Sequence, residues 1–163
     1  MKNTSIIKEK IYPLNALVHK LAQIRLTGTT VSFTNGVFDI IHTGHIASLS
    51  EAASEADFLI VAVNSDASVK RLKGNSRPLN NQDARVLVLA SLVIVDAVII
   101  FNEDTPLEII KAIMPDVLVK GGDYTIEQIV GAKEVIANGG RVVINEMIEG
   151  FSTTGLIEKI KGI

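Results

Sequence analysis

Apolar residues along the chain form short, nearly continuous runs separated by segments with helical spacing. The runs are rich in β-branched residues and cover residues 30–34, 58–64, 97–101, 117–120 and 141–145. Continuous rather than alternating hydrophobicity is typical of parallel strands that are covered on both faces. We therefore predict five buried strands.

The segments between these strands carry the helical pattern. The first predicted helix ends before Gly28 and presents apolar residues at helical spacing, namely Leu14, Leu17, Val18, Leu21 and Ile24. Further helices are predicted over residues 44–56, 81–92, 106–114 and 131–138, and a last one after residue 152. Alternating strands and helices predict a single doubly wound, Rossmann-like α/β domain with a five-stranded parallel sheet. We divide the chain into an N-terminal helical extension, residues 1–28, and a main domain, residues 29–163.

Composition narrows the function. The length of 163 residues suits one domain, and the net charge of −2 argues against a general nucleic-acid-binding surface, which requires a basic excess. Cysteine is absent, which excludes disulfides, thiolate zinc sites and cysteine nucleophiles. The N-terminus lacks the apolar core of a signal peptide, and the most apolar stretch, residues 86–101, is interrupted by Asp96 and is short for a bilayer span. We expect a cytoplasmic protein that does not bind membranes.

The sequence NGVFDIIHTGH, residues 35–45, follows the first predicted strand. Ligands of doubly wound domains bind beyond the carboxyl ends of the strands, where the strand order reverses. Asn35-Gly36 alone also fits a hairpin turn, but the next residues do not alternate as a returning strand does. A loop that leads into a helix fits better, with Gly36 letting a ligand approach the main chain. The N-terminus of that helix suits a phosphate, because its N–H groups and its dipole are positive.

His42 and His45 lie three residues apart in this loop and leave three interpretations open. They form a structural pair with satisfied hydrogen bonds, or a metal site for which only Asp39 offers a third ligand, or a site for phosphate chemistry. In the third case both imidazoles donate to the oxygens of a pentacoordinate phosphorus. Gly44 between them then leaves room for the approach.

A cationic segment, residues 70–85, follows the second strand and is predicted to reach the same edge of the sheet. It has a local charge balance of +4, because Asp83 stands against five cations, Lys70, Arg71, Lys73, Arg77 and Arg85. Most such runs are solvated loops. Gly74 and Pro78 favour a shaped loop that folds over a polyphosphate.

Two further segments are predicted at this edge. VKGGDY, residues 119–124, opens the backbone with two glycines beside Lys120 and Asp123, although a plain turn would also require them. Ser152, Thr153 and Thr154 precede the last helix. One hydroxyl is enough for an N-cap, whereas three in succession suit an anion.

Together these segments resemble a known superfamily. NGVFDIIHTGH resembles the H-x-G-H signature of the nucleotidyltransferases that include the cytidylyltransferases and pantetheine-phosphate adenylyltransferase, and FSTTGLI resembles their second signature, I-S-S-T-x-x-R. A closer resemblance, over residues 31–161, is to the adenylyltransferase domain of the ADP-heptose synthases, in its stand-alone form without the fused sugar kinase. The main domain is then a nucleotidyltransferase domain. The chain departs from the second signature at Ile157, where the arginine is missing, and Lys159 and Lys161 are the nearby replacements for its charge.

The resemblance implies a reaction. ATP and D-glycero-β-D-manno-heptose 1-phosphate give ADP-heptose, a lipopolysaccharide core precursor, and pyrophosphate, with Mg²⁺ carried by ATP. The sugar phosphate attacks the α-phosphorus in line without a covalent enzyme intermediate, so catalysis rests on positioning and charge stabilisation. The resemblance also implies a homo-oligomer and a separate heptose kinase in the same pathway.

The resemblance further implies roles for individual residues. His42, His45 and Lys73, with Lys70 beside it, would contact the ATP phosphates and stabilise the charge that develops on the α-phosphoryl group. The nucleotide would be bound by Thr34, Asn35, Gly36, Phe38 and Gly44, its nucleoside by Gly121, Gly122 and Asp123, and its β- and γ-phosphates by Ser152, Thr153 and Thr154. Asp39 would fix the loop or touch the acceptor sugar, and Arg77 or Arg85 would bind the acceptor phosphate.

Two other functions fit the sequence less well. A cytidylyltransferase that acts on glycerol 3-phosphate or a similar alcohol phosphate would use the same phosphate site with a different base pocket. A nucleotide-binding module without catalysis, or a subunit that docks onto a separate kinase, would not require both histidines together with the cations and hydroxyls.

Overall fold

The structure is a computed structural model that describes residues 3–145 and 153–162. Its centre is a parallel sheet of five strands in the order β3-β2-β1-β4-β5. The strands are β1 (Val31–Gly36), β2 (Phe58–Asn64), β3 (Ala97–Phe101), β4 (Val117–Gly121) and β5 (Arg141–Asn145). The predicted doubly wound fold with five parallel strands is confirmed.

Helices connect the strands and cover both faces of the sheet. They are α1 (Ser5–Glu9), α2 (Leu14–Arg25), α3 (Thr43–Ser54), α4 (Asp66–Lys73), α5 (Gln82–Ala90), α6 (Leu107–Ile113), α7 (Ala132–Ala137) and α8 (Thr153–Lys161), and a 3-10 turn covers Ile126–Gln128. In the part of the chain that the structure describes, no helix has the length and apolar character that crossing a membrane requires.

The interpretation of residues 70–85 as one shaped loop is wrong, because its first part belongs to a helix. The Ser65 side chain accepts a hydrogen bond from the Ser68 N–H and caps the N-terminus of α4. Lys70, Arg71 and Lys73 lie in the last turn of α4, where cations interact favourably with the helix dipole. Only the segment between α4 and α5 is a loop, and it begins at Gly74.

The hydrophobic core has one layer on each face of the sheet. On one face, Phe33, Ile60 and Leu118 of the strands pack with Leu17 and Leu21 of α2. On the other face, α3 and α5 bury apolar residues against Val61 and Val119. Burial of each large aliphatic side chain contributes about 1.5–3 kcal/mol to the free energy of unfolding. Both layers therefore stabilise the sheet, whose carboxyl edge carries the converging loops.

The N-terminal segment is attached to the main domain by the same core and by backbone hydrogen bonds. The Tyr12 N–H donates to the Val98 carbonyl at 2.9 Å, and the Val98 N–H donates to the Lys10 carbonyl at 2.7 Å. The Lys10 ammonium also donates to the carbonyls of Leu92 and Val95. Residues 10–12 therefore run alongside β3, and α2 follows directly from them.

Strand order reverses between β1 and β4. From β1 the chain proceeds outward to β2 and β3, then crosses to β4 on the other side of β1 and ends with β5. Loops leave neighbouring β1 and β4 in opposite directions at such a point, which opens a crevice beyond their carboxyl ends. The residues of interest lie around this crevice.

Candidate active site

The two histidines stand at the N-terminus of α3. His42 is the N-cap, with extended backbone angles (φ −141°, ψ 172°), and its carbonyl accepts hydrogen bonds from the N–H groups of His45 and Ile46 at 2.9 and 3.2 Å. The imidazole rings are stacked, with centroids 3.9 Å apart and planes inclined by 27°. Both imidazoles are thus presented together at the positive end of the helix.

The environment of this pair favours neutral imidazoles. Burial, together with the smaller electrostatic effect of the nearby His42, lowers the pKa of His45 to about 4, although a hydrogen bond with the Ile40 backbone partly opposes both effects. Burial also lowers the pKa of His42. At neutral pH each ring therefore has one N–H to donate, and a bound polyphosphate would favour the protonated form of both.

Phe38 supports the histidine pair from the other side. Its ring centroid is 5.3 Å from that of His45, and its backbone has φ 50°, a conformation that residues with a side chain rarely adopt. A Cβ atom on Gly36 would lie 3.0 Å from Phe38 Cε2. The absence of a side chain at Gly36 therefore leaves room for the Phe38 ring.

Asp39 fixes the loop that carries the histidines. It is 3% exposed, and its carboxylate accepts hydrogen bonds from the N–H groups of Leu79 and Asn80 at 2.8–2.9 Å. Arg77 Nε lies 2.8 Å from Asp39 Oδ2 and forms an ion pair with it. Of the two predicted roles for Asp39, fixing the loop matches these contacts, because the carboxylate is engaged by two backbone N–H groups and one guanidinium. For the same reason Asp39 is a poor third metal ligand, and within residues 3–145 and 153–162 no cluster of three metal-ligating side chains occurs. The predicted contact of Asp39 with the acceptor sugar stays a prediction.

Arg85 also requires a correction, because it is enclosed rather than free to bind an acceptor. Its guanidinium is fully buried and donates to the carbonyls of Asn80, Val37 and Asn64 at 3.0, 2.6 and 2.8 Å. It also forms an ion pair with Asp66 at 2.7 Å. Arg85 thus ties together the ends of β1 and β2 and the starts of α4 and α5.

A cleft of about 340 Å³ lies in front of the histidine pair and collects residues from four separate segments. Lys73 reaches it from the end of α4, Arg77 from the following loop, and Thr153 and Thr154 from the start of α8. Thr153 Oγ1 is 3.5 Å from the Ile40 carbonyl, which brings α8 to the histidine loop. The complete lining is Val37, Phe38, Asp39, His42, His45, Lys73, Arg77, Thr153 and Thr154.

The other predicted site residues lie elsewhere or cannot be placed. Thr34 is buried within β1, Gly44 is in the first turn of α3, and Asp123 is exposed. Gly121 lies at the end of β4 beside Ser48, and the Gly122 N–H donates to the Asn145 carbonyl at 3.1 Å. Ser152 falls outside the described residues.

Sequence reasoning did not place Lys120 in the site. This residue and Asn35 line a second cavity of about 190 Å³ on the other side of the β1 terminus. The sequence feature that could have indicated Lys120 is its position as a cation at the end of an otherwise apolar strand, VLVK, residues 117–120. Such a residue has little access to solvent and therefore requires a partner.

Comparisons with known proteins agree with this geometry. A family model described as cytidylyltransferase-like matches residues 33–159. The chain is 57% identical over 142 residues to the bifunctional protein HldE of Rhodopseudomonas palustris (strain BisB5), covering 87% of this chain and 29% of that protein. It is 50% identical over 154 residues to the bifunctional protein HldE of Mesorhizobium japonicum, covering 94% of this chain and 31% of that protein. The chain thus spans less than a third of the length of these curated relatives.

Solved structures show the same architecture. The lipopolysaccharide core biosynthesis protein from Thermoplasma volcanium GSS1 superposes with a TM-score of 0.58 at 26% identity, over 74% of this chain and 97% of that chain. Pantoate-beta-alanine ligase from Francisella tularensis has a TM-score of 0.55 at 14% identity, over 90% of this chain and 76% of that chain, which shows a shared fold only. The fold, the histidine cleft and the match over residues 33–159 lead to one conclusion: the chain is a nucleotidyltransferase of the cytidylyltransferase-like family.

Proposed function

We propose that this chain transfers the adenylyl group of ATP to D-glycero-β-D-manno-heptose 1-phosphate, giving ADP-heptose and pyrophosphate. The observation that carries the transfer chemistry is the convergence of His42, His45, Lys73 and the N-termini of α3 and α8 on one cleft. The resemblance of VKGGDY and NSDASVKRLKG to the ADP-heptose synthases supports the choice of nucleotide and acceptor, as does identity of 50–57% to proteins named HldE. Because the nucleotide is ATP, the proposal assigns the reaction to the cytoplasm.

In the proposed mechanism, a phosphate oxygen of the acceptor forms the new bond to the α-phosphorus. The bond from that phosphorus to the bridging oxygen breaks, and pyrophosphate leaves with the electron pair. His42 and His45 donate N–H groups to the α-phosphoryl oxygens, and Lys73 balances charge from the opposite wall. Thr153, Thr154 and the amino end of α8 hold the β- and γ-phosphates, since helix N-termini favour anions. Mg²⁺ enters with the triphosphate as part of the substrate.

The remaining predicted roles belong to the same proposal. The nucleotide side of the loop is formed by Asn35, Gly36 and Phe38. Thr34 and Gly44 lie at the two ends of this segment. Gly121, Gly122 and Asp123 line the nucleoside pocket, and Ser152 joins its neighbours at the phosphates. Arg77 contacts the acceptor phosphate from the rim of the cleft. We also propose that the chain forms a homo-oligomer and that a separate heptose kinase supplies the acceptor.

Pyrophosphate release tests the proposal directly. Purified protein with ATP, Mg²⁺ and the heptose 1-phosphate should release pyrophosphate, and CTP in place of ATP should support little turnover. The His42→Ala variant should lose about 100- to 1000-fold in kcat, because one preorganised donor to the developing charge is removed.

His19→Ala is the matched control, since His19 is exposed on α2 away from the cleft. It should retain the wild-type rate. Turnover with CTP and glycerol 3-phosphate but not with ATP and the heptose phosphate would replace this proposal with the cytidylyltransferase alternative. A loss below about tenfold in His42→Ala would contradict the role of the imidazole.

A further inference from the structure

Helix α4 is held in place mainly by polar contacts. Of its eight residues, all of which the structure describes, only Ser68 and Val69 are buried. Val69 is the one apolar side chain of this pair, and a helix of this length with so little apolar burial is not stable by itself. The position of α4 therefore depends on polar groups that lie after β3, in residues 102–104. We call these residues the β3–α6 segment.

The contacts between α4 and the β3–α6 segment form a row along the helix. Ser65 Oγ donates a hydrogen bond to Asn102 Oδ1 at 2.6 Å, and Ser68 Oγ donates one to the Glu103 carbonyl at 3.0 Å. Ser65, Ser68 and Arg71 are spaced by three residues, so their side chains follow one another on one side of the helix. Arg71 thus extends the same row to the last turn of α4.

Arg71 makes two contacts with the β3–α6 segment. Its Nε donates to Asp104 Oδ1 at 2.7 Å and forms an ion pair with that carboxylate, and its terminal NH2 group donates to the Asn102 carbonyl. The side chains of Arg71 and Asp104 are 45% and 61% exposed, and ion pairs as exposed as this one contribute little to stability. The contacts of Arg71 therefore restrain the last turn of α4 without contributing much to the stability of the fold.

The position of Lys73 depends on this restraint. Lys73 is the last residue of α4, and Gly74, with φ 90°, ends the helix directly after it. Lys73 lines the histidine cleft, yet among the described residues it has no ion-pair partner. Because the ends of helices fray, its ammonium has a defined position only if the last turn is held. Arg71 holds that turn and does not itself line the cleft.

We propose that Arg71 is a positioning residue for the transfer reaction: its contacts with the β3–α6 segment hold the last turn of α4 and thereby direct Lys73 towards the histidine pair. This inference rests on the proposed function, in which Lys73 balances charge across the cleft. A displacement of about 1 Å in a catalytic group costs up to about 100-fold in rate. A contact that is nearly neutral for stability is therefore important for turnover.

The Arg71→Met variant removes both contacts of the guanidinium. It should lower kcat for pyrophosphate release about 10- to 100-fold, because Lys73 is no longer held at its working distance. Asp104→Asn removes the ion pair from the other side and should lower kcat in the same direction, which covers the case in which the methionine variant folds poorly. Wild-type kcat in both variants would overturn the role of Arg71.

A double-variant cycle separates positioning from a general structural effect. If Arg71 acts through Lys73, the substitution at Arg71 should matter little in the background of Lys73→Met. The kcat of the double variant Arg71→Met/Lys73→Met should then lie within about twofold of that of Lys73→Met. A kcat reduced by the full product of the two single effects would mean that the residues act independently, and would overturn the role of Arg71.

Lys111→Met and Glu108→Gln are the matched controls. Lys111 and Glu108 form a similarly exposed ion pair on α6, with side chains 43% and 69% exposed, and neither lines the histidine cleft. Both variants should keep the wild-type kcat. Their free energies of unfolding in urea should match those of the Arg71 and Asp104 variants. A clearly lower stability of both Arg71→Met and Asp104→Asn would make the kinetic effect a folding defect and overturn the role of Arg71.

Nucleotide binding without acceptor separates this inference from the proposed function. Calorimetry with ATP, or with CTP if that is the nucleotide bound, should show weaker binding in Lys73→Met and in Arg71→Met, with no further loss in the double variant. A wild-type protein that binds nucleotide but releases no pyrophosphate with the heptose 1-phosphate would overturn the proposed function, and this binding cycle would still report on Arg71. Turnover by the wild type together with additive losses of nucleotide binding would overturn only the role of Arg71.

Discussion

The stacked imidazoles of His42 and His45 place two titratable groups within 3.9 Å of each other in a partly buried site. Protonation of such a pair is unfavourable in the free protein, because two charged rings repel each other and burial removes part of their hydration. A bound triphosphate reverses this balance, because its oxygens accept hydrogen bonds and stabilise positive charge. The protonated histidine pair is thus more stable beside a bound anionic ligand than in the free protein.

The lowered pKa of His45 predicts a loss of stability in mild acid. Its folded-state pKa of about 4 lies below the usual value of 6.5, so between these pH values the unfolded chain binds a proton that the folded protein does not. The free energy of unfolding should therefore be highest above pH 6.5 for this group and fall as the pH decreases towards 4. Urea unfolding of the wild type and of His45→Gln across this range checks the effect, and the variant should show the smaller decrease.

His19→Gln provides the control for this measurement, because His19 is exposed on α2. It should follow the wild-type dependence of stability on pH. Identical pH profiles for His45→Gln and the wild type would contradict the assignment of the acid-linked loss to His45.

At the scale of elements, Arg85 connects strands and helices that are far apart in the sequence. Replacing it with lysine should decrease the free energy of unfolding by about 3 kcal/mol, because an ammonium cannot supply the fork of donors that three carbonyls and Asp66 require. Arg71→Lys, at an exposed ion pair with Asp104, should decrease it by less than about 1 kcal/mol. Urea unfolding measures both values. A raised acceptor KM in Arg85→Lys with unchanged stability would instead restore the acceptor role predicted from sequence.

Elements with strong local patterns could be predicted from the sequence, and tertiary contacts could not. The strands over residues 58–64, 97–101 and 141–145 match their predicted bounds because their apolar runs are continuous. Helix α4 was missed, since its mostly polar sequence hides the Ser65 cap. Asp39 accepts hydrogen bonds from the N–H groups of Leu79 and Asn80, which lie some forty residues away in the sequence. No local sequence pattern predicts such a contact.

At the scale of the whole molecule, the reversal of strand order brings the candidate sites together. The histidine cleft lies beyond β1 on the side of α3 and α4, and the second cavity, which Asn35 and Lys120 line, lies between the ends of β1 and β4. Asn35, near the end of β1, borders the second cavity, and Val37 and Phe38, which follow β1, border the histidine cleft. This arrangement explains how residues from the first and last parts of the chain converge although the sequence separates them.

The core continues into the N-terminal segment, so residues 1–28 should contribute to the stability of the whole domain. Leu17 of α2 is 0% exposed among strand residues, and Leu17→Ala should decrease the free energy of unfolding by about 2–5 kcal/mol. Leu26→Ala, at a position that is 88% exposed, should change it by less than about 0.5 kcal/mol. Circular dichroism in urea should show one shared transition that moves to lower urea in Leu17→Ala. An unchanged main transition, or a separate one for the first helices, would instead make residues 1–28 an independent extension.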